Sequence, residues 1–451
     1  MFADVVSKQK EYFNEGKTLS YESRIKVLNK LDDVLHQYEQ ELINALNIDL
    51  SKSPYESYLT ELYSIYGELR RTKKHLKSYM KVKRARGSIA TFPGKSFLVK
   101  EPYGLVLVIS PWNYPLQLSL IPMISALAAG NTVILKTSSL SVNVSKTLRN
   151  MINDNFENGL VYVTNEDSGT VMKERYDYIF FTGGVETGKK VMLEAARNLT
   201  PVTLELGGKS PCIVDETAQI DLAAKRIVYG KMLNAGQTCI APDYVFVSNK
   251  VKELLILGLI KYINQFNPSG IAESTYPKII SVKHFNRLVD IINDSKIIYG
   301  GKSNIESLKI EMTLLDAPEE NGLAMTQEIF GPILPIYGYD DINEVITFVK
   351  NREKPLALYL FSSAKATIKK VLNSISFGSG AINNTVLQIS NHHLPFGGVG
   401  NSGMGAYHGK YGFDTFTHEK PVLQSGNWFD LTLKYPPFTN KSYHKIKKFL
   451  K

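Results

Sequence analysis

Apolar positions in the first hundred residues recur at helical spacing. Ile25, Leu28, Leu31, Leu35, Tyr38 and Leu42 fall three and four residues apart and form one stripe. Helix is therefore predicted up to a break at Ser51-Lys52-Ser53-Pro54, with a second helical stretch to about Lys81. Residues 87–92, a turn at Pro93-Gly94-Lys95 and residues 96–99 read as a hairpin with a polar, basic edge, too short to enclose a core. From Gly104 the pattern changes to short continuous apolar runs alternating with helical stretches. Strands are predicted at 105–109, 132–135, 177–181 and 202–206, with helices at 118–129 and 187–197 between them. A second alternating unit follows, with strands at 244–247, 333–337 and 356–361 and helices at 251–266 and 342–349. Buried runs that alternate with helices imply parallel sheets covered on both faces. After Gly378 the chain is dense in glycine and aromatic residues, without a long periodic helix.

Composition narrows the class. The chain has 451 residues, 43% hydrophobic and 21% charged, enough for two or three soluble domains around a large core. Residues 1–13 mix charge throughout and contain no signal-peptide core. The apolar run at 254–260 is interrupted by Gly258 and is too short to span a bilayer. Two cysteines form no disulfide framework, which points to a reducing, cytoplasmic setting. The net charge of +10 is concentrated partly at 81–86 and 441–451. Both clusters read first as solvated faces, since no nucleic-acid motif accompanies them. Membrane-surface contact by the basic tail is the alternative reading.

Several short segments place reactive side chains at strand ends. Cys212 lies in an apolar run and reads as a small hydrophobe, whereas Cys239, in Gly236-Gln237-Thr238-Cys239, lies on a loop of small and polar residues suited to an exposed, solvated thiolate. Thr203-Leu204-Glu205-Leu206-Gly207-Gly208-Lys209 sets a carboxylate at the end of a buried strand. Burial would raise its pKa toward a general-base value, although a structural Glu held by backbone N–H groups is an equal reading. Asn113, in Pro111-Trp112-Asn113-Tyr114-Pro115, offers a neutral amide donor where ligands of open α/β sheets collect, and turn chemistry explains the same residues. The glycines of Thr182-Gly183-Gly184-Val185-Glu186-Thr187-Gly188 lie where a strand turns into a helix, a geometry that serves a phosphate or simply a tight turn. Glu328-Ile329-Phe330-Gly331-Pro332 and Pro395-Phe396-Gly397-Gly398 are further loop signals. His392 and His393 are adjacent and lack further spaced ligands, so they read as loop histidines and no metal is expected; His408 and His418 stay unassigned.

Taken together, these six segments resemble the aldehyde dehydrogenase superfamily, in its order and over nearly the whole chain. Cys239-Ile240-Ala241-Pro242-Asp243-Tyr244 and the glycine-rich stretch 400–409 are similar to its class 3 branch. The resemblance implies an α/β, aldehyde dehydrogenase-like fold. A Rossmann-type dinucleotide-binding domain would span 1–80 and 104–206, and a catalytic α/β domain 207–388. A small β oligomerisation arm with a C-terminal tail would take 81–103 and 389–451, and the assembly would be a homodimer. It also implies oxidation of an aldehyde with NAD or NADP. Cys239 would be the nucleophile and Glu205 the base, while Asn113 and the Cys239 N–H would hold the oxyanion. Trp112, Gly183, Gly184, Gly188, Glu328 and Phe330 would line the cofactor, Lys136 would meet its adenosine ribose, and Ser139 would stand where many relatives carry a ribose-gripping Glu.

Two departures bear on the cofactor. Lys136-Thr137-Ser138-Ser139 replaces a Lys-Pro-Ser-Glu stretch, and losing that carboxylate removes a repulsion against a 2′-phosphate. The middle residues of the glycine loop also differ from the commoner Gly-Ser-Thr pattern. The implied substrates are medium- or long-chain aliphatic, aromatic or polyene aldehydes. A catalytically silent relative kept as a binding protein and a hydrolase using only Cys239 and Glu205 are the competing readings. Retention of all three catalytic residue types counts against the first, and a cofactor domain counts against the second.

Overall fold

The computed structural model describes residues 2–273, 275–430 and 432–449. One sheet of six strands runs in the order Gly403–Met404, Val202–Glu205, Tyr178–Thr182, Leu105–Ile109, Thr132–Lys136, Val161–Thr164. All neighbours are parallel except Gly403–Met404, which lies antiparallel on Val202–Glu205. The period of two along these strands sends side chains to two cores. Val106, Val108, Val133 and Leu135 join one, and Leu105, Leu107, Ile134 and Ile179 the other. Helix Gln117–Ala129, buried along its whole length, covers the first face.

A second sheet of seven strands runs Ile297–Tyr299, Thr313–Asp316, Ile333–Tyr339, Tyr244–Ser248, Pro211–Val214, Ala357–Phe361, Ser379–Ile382, parallel apart from its first strand. The predicted strands and helices of both alternating units are present, with ends displaced by one or two residues. Cys212 is buried in Pro211–Val214, and desolvation pushes its thiol up.

Three expectations are corrected. The stripe from Ile25 to Leu42 is two helices, Tyr21–Gln37 and Glu39–Leu50, broken at Tyr38. The hairpin uses Lys83–Ala85, not 87–92, as its first strand. Arg84 faces Phe97, and residues 87–94 form a turn in which the Gly94 N–H donates to the Thr91 carbonyl at 2.6 Å. That first strand is fully exposed and polar, so it carries no apolar alternation to detect. A third strand, Thr417–Gln424, pairs along all of Lys95–Pro102, and Pro421 is tolerated there because the strand is at the sheet edge.

The segment expected to act wholly as arm and tail is also split. Within 389–451, Gly403–Met404 closes the edge of the six-stranded sheet, and helix Gly409–Thr415 packs on helix Gln117–Ala129 through Gly412 and Ser125. The glycines permit this close approach, which apolar periodicity does not register. The basic tail forms helix Asn440–Phe449; residues 450 and 451 lie outside the described residues.

Candidate active site

The C-terminal ends of the six-stranded sheet gather the candidates. Ile109 pairs with Phe181 and with Lys136, and Thr182 pairs with Glu205, so the Asn113 loop, Lys136, the glycine turn and Glu205 leave one edge together. Cys239 reaches the same edge from the other unit on a loop of unusual shape. Asn234, Ala235 and Gly236 are successively left-handed, with φ of 51°, 50° and 73°. Only glycine fits the third position, because a side chain there would strike the Gly331 carbonyl.

Hydrogen bonds fix that loop. The Asn234 N–H donates to Glu56 Oε1 at 2.7 Å, and Asn234 Nδ2 donates to the Asn113 carbonyl at 2.7 Å. Gln237 Nε2 donates to the Asn234 and Lys278 carbonyls, and Gln237 Oε1 accepts from the Ile280 N–H, each at 3.0 Å. Asn113 is buried, and its Nδ2 donates to the Gln237 carbonyl at 3.0 Å. An amide nitrogen carries two hydrogens, so one remains for a ligand.

Two cavities meet at Cys239 and Glu205. One, of about 980 Å³ to its open mouth, is mostly apolar; Leu59, Tyr63, Tyr114, Leu233, Phe396 and Tyr407 form much of its wall. The other, of about 840 Å³, is lined by Trp112, Asn113, Gly183, Gly184, Glu328 and Phe330. Thr182, Leu118 and Leu206 border both, with Cys239 and Glu205.

The resting electrostatics are unlike those of a solvated thiolate, and the sequence expectation for Cys239 is corrected. Cys239 is only partly exposed. Burial pushes its thiol up to about 12, with the Glu328 and Glu205 carboxyls adding to the shift and the Cys239 and Ile240 N–H groups opposing it. Glu205 is 2% exposed and neither oxygen has a hydrogen-bond partner among the described residues, so its pKa rises well above the carboxylate range. Of the two readings for Glu205, the one that has backbone N–H groups satisfy it fails.

The second cavity opens onto a helix N-terminus. Gly184 N-caps helix Val185–Ala196, and a side chain added there would meet nothing within 4 Å, leaving the helix N-terminus open to a phosphate. Gly188, one turn in, packs against Leu206 and does not line the cavity. A Cβ at Gly207 would overlap the Glu328 carboxyl, so the glycine makes room for that carboxyl beside the cavity. Burial raises Glu328 to about 8, Asp243 adds to this, and the Gly208 N–H, Lys209 and Lys231 oppose it.

Its loop is clamped. Lys209 Nζ bonds Asp243 Oδ2 at 2.5 Å and the Ala324 and Gln327 carbonyls at 2.8 and 2.9 Å, while Arg287 donates to the Glu328 and Ile329 carbonyls. Phe330, at φ 52°, meets the Trp112 ring edge-on at 5.4 Å. Lys136 and Ser139 border neither cavity. Lys136 is buried with Nζ donating to the Thr137 carbonyl at 2.9 Å, and Ser139 is exposed beyond it.

Supporting residues that sequence reading did not single out include Lys52, Glu61, Asn234 and Thr182. Asn234 adjoins the Gly236-Gln237-Thr238-Cys239 stretch and could have been suspected. Lys52, in the break between two helices, and Glu61, in the helical stretch after it, look like ordinary surface charges. His392 Nδ1 lies 3.5 Å from Glu68 Oε2, and His408 is buried with its pKa lowered by desolvation to about 4. Among the described residues, no group of three or more His, Cys, Asp or Glu is placed to hold a metal.

A thiol and an unpartnered carboxyl thus stand on the wall shared by an apolar cavity and a glycine-lined one. The family model of the "Aldehyde dehydrogenase family" matches residues 2–422, and the chain belongs to that family. It is 44% identical over 448 residues to a Staphylococcus aureus protein, 4,4'-diaponeurosporen-aldehyde dehydrogenase, covering 98% of this chain and 97% of that one. It is 38% identical over 451 residues to aldehyde dehydrogenase family 3 member A2 of Rattus norvegicus, covering 99% and 93%. A solved structure described as the substrate-bound state of Staphylococcus aureus AldH superposes with a TM-score of 0.98 at 43% identity, covering both chains fully. The chain is thus an aldehyde dehydrogenase. Among the described residues, no helix is long and apolar enough to cross a membrane.

Proposed function

We propose that this enzyme oxidises an apolar aldehyde, of the medium- or long-chain aliphatic, aromatic or polyene class, to its carboxylic acid through Cys239. The observation that carries the reading is the shared wall. Cys239 and Glu205 border an apolar cavity on one side and the glycine-lined cavity on the other. The polyene member of the class is supported by the name of the Staphylococcus aureus relative.

The chain's own groups suit each step. Cys239 Sγ, its proton passed to solvent through the open cavity, attacks the aldehyde carbon. The free hydrogen of Asn113 Nδ2 and the Cys239 N–H receive the developing oxyanion. When bound, a nicotinamide would be held by Trp112, Glu328 and Phe330 and would supply the hydride acceptor. Glu205, once its own proton has left, takes a proton from the water that attacks the thioester on Cys239, releasing the acid and the Cys239 thiolate. A carboxyl with no competing partner is free to turn to that water. We assign the 183–188 turn, through Gly183 and Gly184 where it lines the cavity, to the pyrophosphate, and Lys136, which lies outside that cavity, to an adenosine ribose reaching past it. Dimer formation through the three-stranded arm and a cytoplasmic location belong to the same reading.

The test is steady-state absorbance of reduced nicotinamide with aliphatic, aromatic and polyene aldehydes, NAD and NADP being supplied separately. Apolar aldehydes should dominate kcat/KM, and Cys239→Ser should abolish turnover while cofactor binding persists. Residual turnover in Cys239→Ser would overturn the nucleophile, and a preference for short polar aldehydes would overturn the substrate class.

A further inference from the structure

A third cavity, of about 960 Å³ to its mouth, lies at the far end of helix Gln117–Ala129 from the Asn113 loop. Its lining includes Lys17, Arg24, Lys26 and Lys30 but only one carboxylate, Glu157. Arg24 is 6% exposed. Its Nε donates to the Thr18 carbonyl at 2.9 Å and one terminal nitrogen to the Ala128 carbonyl at 3.2 Å, which caps the helix C-terminus; the second terminal nitrogen has no hydrogen-bond partner among the described residues. The capping carbonyls offer partial negative charge only. Burial without a counter-ion lowers the guanidinium to about 10.

The other cations differ in what they leave free. Lys17 is paired with Glu15 at 2.5 Å. Lys26 and Lys30 have no carboxylate within ion-pair distance among the described residues, and Lys30 Nζ is seated over the Phe156 ring at 5.1 Å. Two lysines and a desolvated guanidinium thus face one opposing carboxylate. Exposed lysines alone would be a solvated surface. A buried, uncompensated arginine in the wall of the same cavity is different, because its charge costs free energy until an anion arrives.

We propose that this cavity binds a compact, multiply charged phosphate group carried by a soluble small molecule, with Arg24 contacting the phosphate inside the cavity and Lys26 and Lys30 at the rim. Phosphate fits because it offers several oxygens to a planar guanidinium and to point-charge ammoniums at once. The site is separate from the cavities that meet at Cys239, with which it shares no lining residue.

The probe is inorganic pyrophosphate titrated calorimetrically into NAD-saturated protein, so that the nucleotide site is filled, at ionic strength held constant with chloride. One site per chain is expected. Lys26→Ala with Lys30→Ala should weaken it by about 10-fold or more, and Glu157→Gln should tighten it by about threefold. All three positions are exposed and lie outside the catalytic machinery, so kcat should not change. The proposal is overturned if pyrophosphate gives no saturable heat, or if the double variant binds as wild type does. Retention on phosphatidylglycerol vesicles that the double variant abolishes, without any pyrophosphate binding, would overturn the soluble ligand in favour of a lipid headgroup.

Discussion

Lys52 Nζ lies 2.7 Å from Glu61 Oε1, and neither side chain has any solvent exposure. The pair is tied to the active site at both ends. Lys52 also donates to the Asn113 carbonyl at 3.2 Å and sits over the Tyr114 ring at 4.0 Å. Glu61 Oε2 accepts from the Leu116 and Gln117 N–H groups at 2.8 and 3.2 Å, satisfying the otherwise unpaired start of helix Gln117–Ala129. A buried ion pair is weak evidence for net stability, so its value here is geometric: it sets where the Asn113 amide points.

Lys52→Met should therefore cost about 3–5 kcal/mol in urea unfolding, since Glu61 is left buried and unpaired. Where the variant stays folded, kcat should fall more than KM rises, because the oxyanion donor is displaced. Unaltered kcat in a folded Lys52→Met enzyme would remove the positioning role.

For Glu205→Gln we expect a burst of reduced cofactor close to one per active site, followed by a stall at the thioester. Rapid-mixing absorbance reads both phases. Steady turnover at the wild-type rate would transfer the base role to another group.

The same variant carries a stability prediction with a definite sign. Glu205 has a folded pKa well above its unfolded value, so the folded state keeps a proton that the unfolded state has lost. Any stability from that proton is fully present below the unfolded carboxyl pKa and is lost as pH rises. Relative to wild type, Glu205→Gln should gain about 1.4 kcal/mol per pH unit above about 5, until the folded carboxyl ionises. Paired unfolding curves at pH 5 and 8 measure it; an equal difference at both values would place the folded pKa near normal.

Alkylation of Cys239 by iodoacetamide in the cofactor-free protein should be slow at pH 7 and rise steeply through the alkaline range, since the thiolate is the reactive form and the thiol sits near 12. Glu328→Gln should move the profile to lower pH by removing a nearby negative charge. A profile centred near pH 8.5 in wild type would contradict the burial argument.

Ser139→Glu should raise the NAD to NADP ratio of kcat/KM by about tenfold if this position meets the ribose. An unchanged ratio would show that the exposed turn beyond Lys136 does not read it.

How far these features were legible in advance differs by residue. Strands such as Leu105–Ile109 announce themselves because both faces are buried and the run is continuously apolar. Cys239, Glu205 and Asn113 were readable as residue types at strand ends and loops, and the fold brings them to one edge. Lys83–Ala85 was not, because an exposed strand has no apolar alternation. The Lys52–Glu61 pair was invisible because nothing local distinguishes a lysine that a distant loop will cover. The left-handed run at Asn234 and Ala235 was equally hidden, since neither residue type demands it; bonds to Glu56 and Asn113 hold it there. The expected solvated thiolate failed for the complementary reason: loop composition says nothing about what packs around the loop.

The placement of Cys239 and Glu205 on the wall between two cavities gives the enzyme separate front and back doors. On the proposed reading, a long apolar tail would occupy the front and the dinucleotide the back, each entering from its own side of the wall. Substrate reach and cofactor access would then be set by different linings, Leu59, Tyr63 and Phe396 on one side and Trp112, Gly184 and Phe330 on the other, so that either could be reshaped with the other left intact.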